Sequence, residues 1–406
     1  MQKGATFFQT VAAIFLLLCI VFIPFPFHLT GFQQPVTDLI FGRLIEVVST
    51  AVFKLSLKNS AVSSDSGSMY VLVFLLLILS LLISLLFQLF PKWKLYKERI
   101  FYFLYILFCY YLVLILLKYG LDKVFKSQFY LPEPNTLYTP LGQVDKDLLY
   151  WTSMGTSRFY NIFMGMAEVL AGVLIFFKRT RMAGLLIAAG ILLQVVMINF
   201  GFDISVKLYS LFLFSLSLYL LNPFYRKLCR FFFTLKDSNT DNVQSTPGLI
   251  KNSFAGVFLK CFIGGMILLE SFYPYLKDNN FNDDIAKRPY LHGAYEVQQL
   301  ISGSDTIEII HAPVKRFFIH RNGYMIFQDQ EDRMQDYKFD YDVAANKYVL
   351  TDYELMKTEL TITYRQTDSI LTLQYLKAGK LIQLTGKALD WRKLPVLQKN
   401  FHWTVE

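Results

Sequence analysis

NIFMGMAEVLAGVLIFFKRTRMAGLLIAAGILLQVVMINFGFDISVKLYS, residues 161–210, decides the fold. Two long apolar runs flank the four residues KRTR. Each run approaches the ~20 residues needed to cross a bilayer. A join that short makes the two helices antiparallel neighbours. Small residues support close packing. Gly165 and Gly172 are seven apart on one face, and Ala167 with Ala171 and Gly184 with Ala188 make small-xxx-small pairs.

Working outward, the same pattern recurs along the chain. Seven candidate spans lie at about 7–27, 70–90, 99–118, 159–177, 182–201, 205–222 and 252–272. The chain has 406 residues, 54% of them hydrophobic and 17% charged. That charged share is well below the ~25% usual in soluble domains. The first apolar run resembles a signal peptide, but PFPFHLTGF follows without a small-residue cleavage site, so we read a retained helix.

Lys and Arg near helix ends set the expected orientation. PKWKLYKER at 91–99, KRTR at 178–181 and the basic residues of 223–251 fall on one side if seven helices alternate. That side is the cytoplasm, with the N-terminus inside and the C-terminal domain outside an inner membrane. The net charge of +9 is largely this signal and gives no reason to infer nucleic-acid binding. The expected partners are the lipid bilayer and a redox or envelope protein.

Five regions follow. Residues 1–98 hold two helices and an outer amphipathic link, 99–222 a four-helix core, 223–251 a cytoplasmic linker, 252–275 a seventh helix and 276–406 a β domain. In the link, TDLIFGRLIEVVSTAVFKLSL suits a helix on the outer membrane face or one packed on the protein. From about residue 305 the period becomes two. KRFFIHRNGYMIFQD carries Asn322-Gly323 between aromatic-rich runs, a hairpin signal. TELTITY puts Leu360, Ile362 and Tyr364 on one face. We expect seven or eight antiparallel strands in a small barrel or curled sheet, with Leu394, Leu397, Phe401 and Trp403 closing on it.

An ionisable residue within a span is a functional candidate by default. Glu168 is the clearest, ~13 Å into its helix at 1.5 Å per residue. Gln194, ~9–10 Å deep by the same rise, is its expected partner. A proton relay, or a contact to a quinone or lipid head group, are the functional alternatives to simple packing. Asn199, Asp203 and Lys207 are spaced four apart. One reading is a polar hairpin at the outer interface, with Asp203 as N-cap and paired to Lys207. The other joins Glu168, Gln194, Asn199 and Lys207 in one outward pocket. Against it, Gln194 and Asn199 lie five apart and do not share a narrow face.

Trp151, Arg158 and Tyr160 suit an interfacial belt, and Tyr110 and Tyr111 suit a core. The cysteines Cys19, Cys109, Cys229 and Cys261 form no CxxC, so neither a disulfide framework nor a dithiol centre is supported. None of the five histidines lies clearly inside a span, and there is no nucleotide loop, GxSxG or HExxH. No catalytic motif, metal site or cofactor is evident.

Residues 99–222 resemble the DoxX-like family of small four-helix membrane proteins. Gly120 to Lys123, Glu168, the Arg-Thr turn, Asn199, Asp203 and Lys207 carry the resemblance. The whole layout is similar to the larger DoxX-like proteins of Bacteroidota, with extra helices and an outer β domain. The resemblance implies a membrane subunit linked to redox systems, including a thiosulfate:quinone oxidoreductase and a complex with superoxide dismutase. It does not imply that this chain is itself catalytic. The expectation is a non-catalytic or accessory protein, with a quinone-linked oxidoreductase subunit using Glu168, or a small-solute or lipid transporter, as alternatives.

Overall fold

The structure is a computed structural model that describes residues 7–29, 31–55, 61–233, 253–342, 347–377 and 379–398. Phe401, Trp403 and the linker segment 238–248 lie outside the described residues. The described helices are α1 Phe7–Phe22, α2 Gln33–Ala51, α3 Gly67–Leu89, α4 Trp93–Val124, α5 Pro134–Leu137, α6 Lys146–Thr156, α7 Arg158–Phe176, α8 Arg181–Gly201, α9 Lys207–Leu221, α10 Tyr225–Phe233 and α11 Ser253–Lys277. Among the described residues, six helices are long and apolar enough to cross a membrane: Gly67–Leu89, Leu95–Val124, Arg158–Phe176, Arg181–Gly201, Lys207–Phe233 and Phe254–Lys277. The chain is a multi-pass membrane protein. The described part of α1 has 16 residues, ~24 Å at 1.5 Å each, and Pro24 and Pro26 follow its end.

Two compact units divide the chain. The first contains 1–128 and 159–281, the second 129–158 and 282–406. The first is the helical bundle. Gly120 of α4 and Gly165 of α7 meet backbone to backbone. A Cβ on Gly165 would stand 2.4 Å from the Gly120 carbonyl oxygen. Gly184 of α8 sits as closely on Ala171 and Ile175 of α7. The small residues of the opening stretch are therefore the contact surface between helices. The KRTR turn closes α7 from outside. Thr180 Oγ1 donates to the Leu174 carbonyl at 2.8 Å, and Arg181 Nε donates to Ile175 at 3.0 Å. Both carbonyls would otherwise lack partners at the helix end. In α2, Thr37, Phe41, Ile45 and Ser49 recur every fourth residue and are buried. Leu39, Ile40, Leu44 and Val47 are exposed, so the helix packs on the protein by one stripe and keeps a second apolar face.

The second unit is an antiparallel barrel. Its strands are β1 Gly293–Ser302, β2 Asp305–Ile307, β3 Arg316–His320, β4 Tyr324–Gln328, β5 Met334–Asp342, β6 Lys347–Thr351, β7 Lys357–Arg365, β8 Ile370–Lys377 and β9 Lys380–Leu389. The order is β1-β3-β4-β5-β6-β7-β8-β9, closed by pairing of β1 with β9, and β2 pairs on the distal end of β1. Closure into eight strands leaves the barrel no open edge. Arg321 to Gly323 form the expected hairpin turn, with His320 opposite Tyr324 and Gly323 at φ 71°. Leu360, Ile362 and Tyr364 do share the inner face, with Phe317, Leu371, Leu373 and Leu384. The interior is packed with side chains. Gly386 is needed there, because a Cβ would fall 2.4 Å from the Phe317 ring, which stacks on Tyr295 at 5.1 Å.

The outer face of the barrel carries its own small core. Ala294, Phe318, Ile326 and Trp391 are buried against Leu131, Leu137, Tyr138, Leu394 and Leu397. The sequence reading keeps the segment 119–158 within the four-helix core region 99–222. Its residues 129–158 instead complete the barrel's unit, because α5 covers the apolar outer row of β3 and β4. Leu394 and Leu397 close on the sheet as expected.

Candidate functional site

Helix α4 delivers the charges of the bundle. Lys118, Asp122 and Lys123 stand in its last two turns, each against a different partner. Lys123 Nζ donates to Glu168 at 2.9 Å, one turn from the Gly120–Gly165 crossing, and both side chains are buried. Lys118 Nζ reaches Glu270 of α11 at 3.2 Å. The Glu270 carboxylate also accepts the backbone N–H groups of His28 and Leu29 at 2.7 and 2.9 Å. It thereby fixes the turn after α1. Asp122 accepts the Tyr275 hydroxyl and, at 2.9 Å, that of Ser127. The Tyr111 and Tyr209 hydroxyls meet at 3.0 Å. Each unlike-charge pair is neutral overall, which lowers the cost of carrying charge inside a span.

Gln194 is exposed and Glu168 is buried, so the expected Glu168–Gln194 contact does not form. Lys123 takes the place of Gln194. Gln194 lies on the exposed side of α8, whereas the Gly120–Gly165 crossing sets Lys123 of α4 beside Glu168. The opening stretch forms its hairpin. Lys207 Nζ and Asp203 pair at 2.7 Å. Asn199 is buried, its carbonyl accepts Ile204 N–H at 2.9 Å, and its Nδ2 has no partner among the described residues. The outward pocket of Glu168, Gln194, Asn199 and Lys207 is not assembled. Asp203 is not the N-cap either. It sits at φ 54° before the helix, and α9 is capped from far along the chain. Asp65 accepts the N–H groups of Lys207 and Leu208 at 2.7 and 3.0 Å. Tyr110 rests edge-on against Phe176, a core contact.

Sequence reasoning missed Lys118, Glu270 and Asp65. The first two carried the same signal as Glu168, a charge at or inside an apolar run. Asp65 carried none that a local reading could use.

The barrel unit has a second ionic cluster. Asp283 receives both terminal nitrogens of Arg321, at 2.7 and 2.6 Å, and Arg288 at 3.0 Å. Glu133 meets His292 Nε2 at 2.8 Å and accepts the Arg321 N–H at 3.3 Å. The Arg321 guanidinium lies 4.5 Å over the Tyr130 ring. Burial pushes the Asp283 carboxyl up, but Arg321 and Arg288 outweigh it and hold the group below the usual carboxylate range. Burial opposes ionisation of Glu133 too, and His292, His320 and the Arg321 amide overcome it. Burial holds the His320 imidazole below its ordinary value, with Glu133 opposing and His292 and Arg321 adding. Beside the cluster, on the outer face of β3, β4 and β5, lies a cleft of about 290 Å³ lined by Asn135, His320, Tyr324, Ile326, Met334 and Asp336. Among the described residues, no group of three His, Cys, Asp or Glu converges as a metal site.

These features define a class: a multi-pass helical membrane protein carrying a filled, closed β-barrel domain. Comparison with known proteins adds one relative. An uncharacterised protein of Bacillus subtilis (strain 168), YwoB, is 34% identical over 112 residues, 25% of this chain. The chain spans 65% of the length of that protein. No family model matches the chain, and no solved structure matches it.

Proposed function

We propose that this chain is a DoxX-like integral protein of the cytoplasmic membrane, a non-catalytic or accessory subunit. The bundle anchors in lipid, with a lipid or quinone as its ligand class. The barrel domain lies outside the cytoplasm and offers its outer face to a partner or ligand. The observation that carries this reading is the internal pairing of the bundle's polar groups. Lys123 with Glu168, Lys118 with Glu270 and Asp122 with Tyr275 tie helices to one another. Groups spent on such ties are fasteners first. The barrel interior is likewise filled by its own side chains.

The test is purification from the native membrane in mild detergent, with mass spectrometry of bound proteins, lipids and quinones. The accessory reading expects phospholipid and an envelope protein at stoichiometric amount. A stoichiometric quinone with a redox subunit would replace it by a quinone-linked oxidoreductase, with Glu168 the proton-transfer group.

Chain parity supports the orientation. Four spans, α7, α8, α9 and α11, separate the end of α4 from residue 282. An even number returns the chain to one membrane face, as segments 129–158 and 282–398 require to build one unit. The basic stretches 91–99 and 178–181 then fall on the opposite face. Single cysteines at Lys146, Ser304 and Arg179, in a chain cleared of its own four, test this. An impermeant maleimide on intact cells labels the first two and not the third. Labelling of Arg179→Cys alone would invert the proposed orientation.

A further inference from the structure

Helix α10, Tyr225–Phe233, divides cleanly into a basic and an apolar face. Its sequence is YRKLCRFFF. At about 100° per residue, Arg226, Lys227 and Arg230 fall within about 100° of arc. Tyr225, Leu228, Cys229, Phe231, Phe232 and Phe233 fall outside it. Between Asn222 and Lys236 there are four basic residues and no acidic one. Leu228 packs against the bundle core and fixes one edge of the helix. The rest of the apolar face is left open. Phe231, Phe232 and Phe233 are 70%, 62% and 84% exposed. Three adjacent phenyl rings in water carry a cost that an apolar contact removes.

The position of α10 says what covers that face. Helix α9 and the 3-10 turn Asn222–Phe224 before α10 hold 15 and 3 residues. Their combined rise of about 28 Å matches the ~30 Å hydrocarbon core, so α10 begins at the headgroups. Pro223 lacks an N–H and lies in the 3-10 turn, a place where a helix can leave the axis of its span. Tyr105 Oη reaches the Leu220 carbonyl at 3.5 Å, and the Arg181 guanidinium lies 5.8 Å over the Tyr105 ring. The end of α9 is therefore level with the KRTR turn, which adds Lys178 and Arg179 to the same basic zone. We propose that α10 lies in the membrane interface and binds anionic phospholipid headgroups through Arg226, Lys227 and Arg230. The phenyl rings enter at the ends of the acyl chains, and the basic side chains meet the phosphates. Arg supplies forked donors to a phosphate group and Lys a point charge. Charge complementarity and the place directly after a span favour lipid over a soluble acidic partner. The inference needs the bundle to lie in a bilayer and takes nothing from the accessory reading or its orientation.

The test uses the full chain in nanodiscs of phosphatidylcholine, alone or mixed equally with phosphatidylglycerol. Cys229, on the apolar face, carries an environment-sensitive fluorophore after Cys19, Cys109 and Cys261 are changed to Ala. Nitroxide-bearing lipids report its depth by quenching. The expected result is a blue-shifted, quenched probe in the mixed discs and weaker quenching in phosphatidylcholine alone, with the difference reduced by high salt. Titrating the phosphatidylglycerol fraction reads the affinity. Arg226→Gln, Lys227→Gln and Arg230→Gln together should lower it by about fivefold for each residue changed. Thermal unfolding checks that this triple variant keeps its fold, and the comparison of the two discs stands without it. Mass spectrometry of phosphatidylglycerol retained by the unlabelled chain gives an independent reading. An unquenched probe in both kinds of disc overturns the proposal and leaves α10 to water or a protein partner. Equal quenching in both, unchanged by salt and by the triple variant, overturns it in favour of a purely apolar anchor.

Discussion

Lys123 and Glu168 can be exchanged for neutral side chains in a way that separates packing from chemistry. Removing Lys123 alone leaves a buried carboxylate without its counter-ion. Lys123→Met is expected to destabilise the protein by about 3–5 kcal/mol, the usual cost of breaking a buried pair from one side. The double change Lys123→Met with Glu168→Gln removes both charges and recovers most of that loss. Thermal unfolding of the full chain in detergent measures the cycle. Additive losses would show that the two side chains act separately, against the 2.9 Å contact. Gly165 gives a second test at the same crossing. Its Cβ would meet the Gly120 carbonyl oxygen, which is backbone and cannot swing away. Gly165→Ala is expected to lower the melting temperature, whereas Gly190→Ala, with nothing within 4 Å, should leave it unchanged or raised.

At the scale of elements, the start of α9 hangs on a carboxylate 142 residues away. Asp65→Asn loses the charge while keeping an acceptor, and Asp65→Ala loses both. Asp65→Ala is expected to cost about 1–2 kcal/mol, the range for loss of an N-cap. Asp203→Ala should cost less than about 1 kcal/mol, since its side chain is 81% exposed. The two melting curves decide it; a larger effect at Asp203 would mean the local pair holds the hairpin. The contrast also shows what was legible beforehand. Length, apolar runs, the KRTR join and the small-residue spacing are local signals, and they placed the helices and their packing faces. Alternation and Asn322-Gly323 placed the strands from β3 onward in the same way, but the closing strand β1, Gly293–Ser302, lies before residue 305, where the alternation was read to begin. Partners were not legible. Glu168 was visible as a buried charge, but choosing Lys123 over Gln194 needs the closeness of the α4–α7 crossing. Asp65 lies in a polar stretch where nothing local marks a cap.

For the whole molecule, acid is the condition that reports on the barrel unit, because its ionic cluster joins two distant chain segments. Glu133 comes from the segment between α4 and α7, while Asp283, His292, His320 and Arg321 come from the segment after α11. His320 is held below its ordinary value of 6.5 by burial, so the unfolded chain takes up a proton that the folded one resists. Its contribution is present above pH 6.5, falls as the pH drops through that value, and levels off below the folded pKa. Glu133 and Asp283 are held below their ordinary 4.5 and 3.8 by their cationic neighbours. Their contribution is present above those values and is lost as the pH falls through the lower, folded pKa. Stability should therefore fall in two windows, one starting near pH 6.5 and one below about pH 4.5. Trp391, whose ring lies 5.8 Å from His292, gives a fluorescence signal within this unit. His320→Gln should remove the upper window and keep the lower. An unchanged slope between pH 7 and 5.5 in that variant would assign the upper window to another group. Loss of the lower window in Asp283→Asn, together with release of segment 129–158 to added protease, would show that the cluster holds the two segments as one unit.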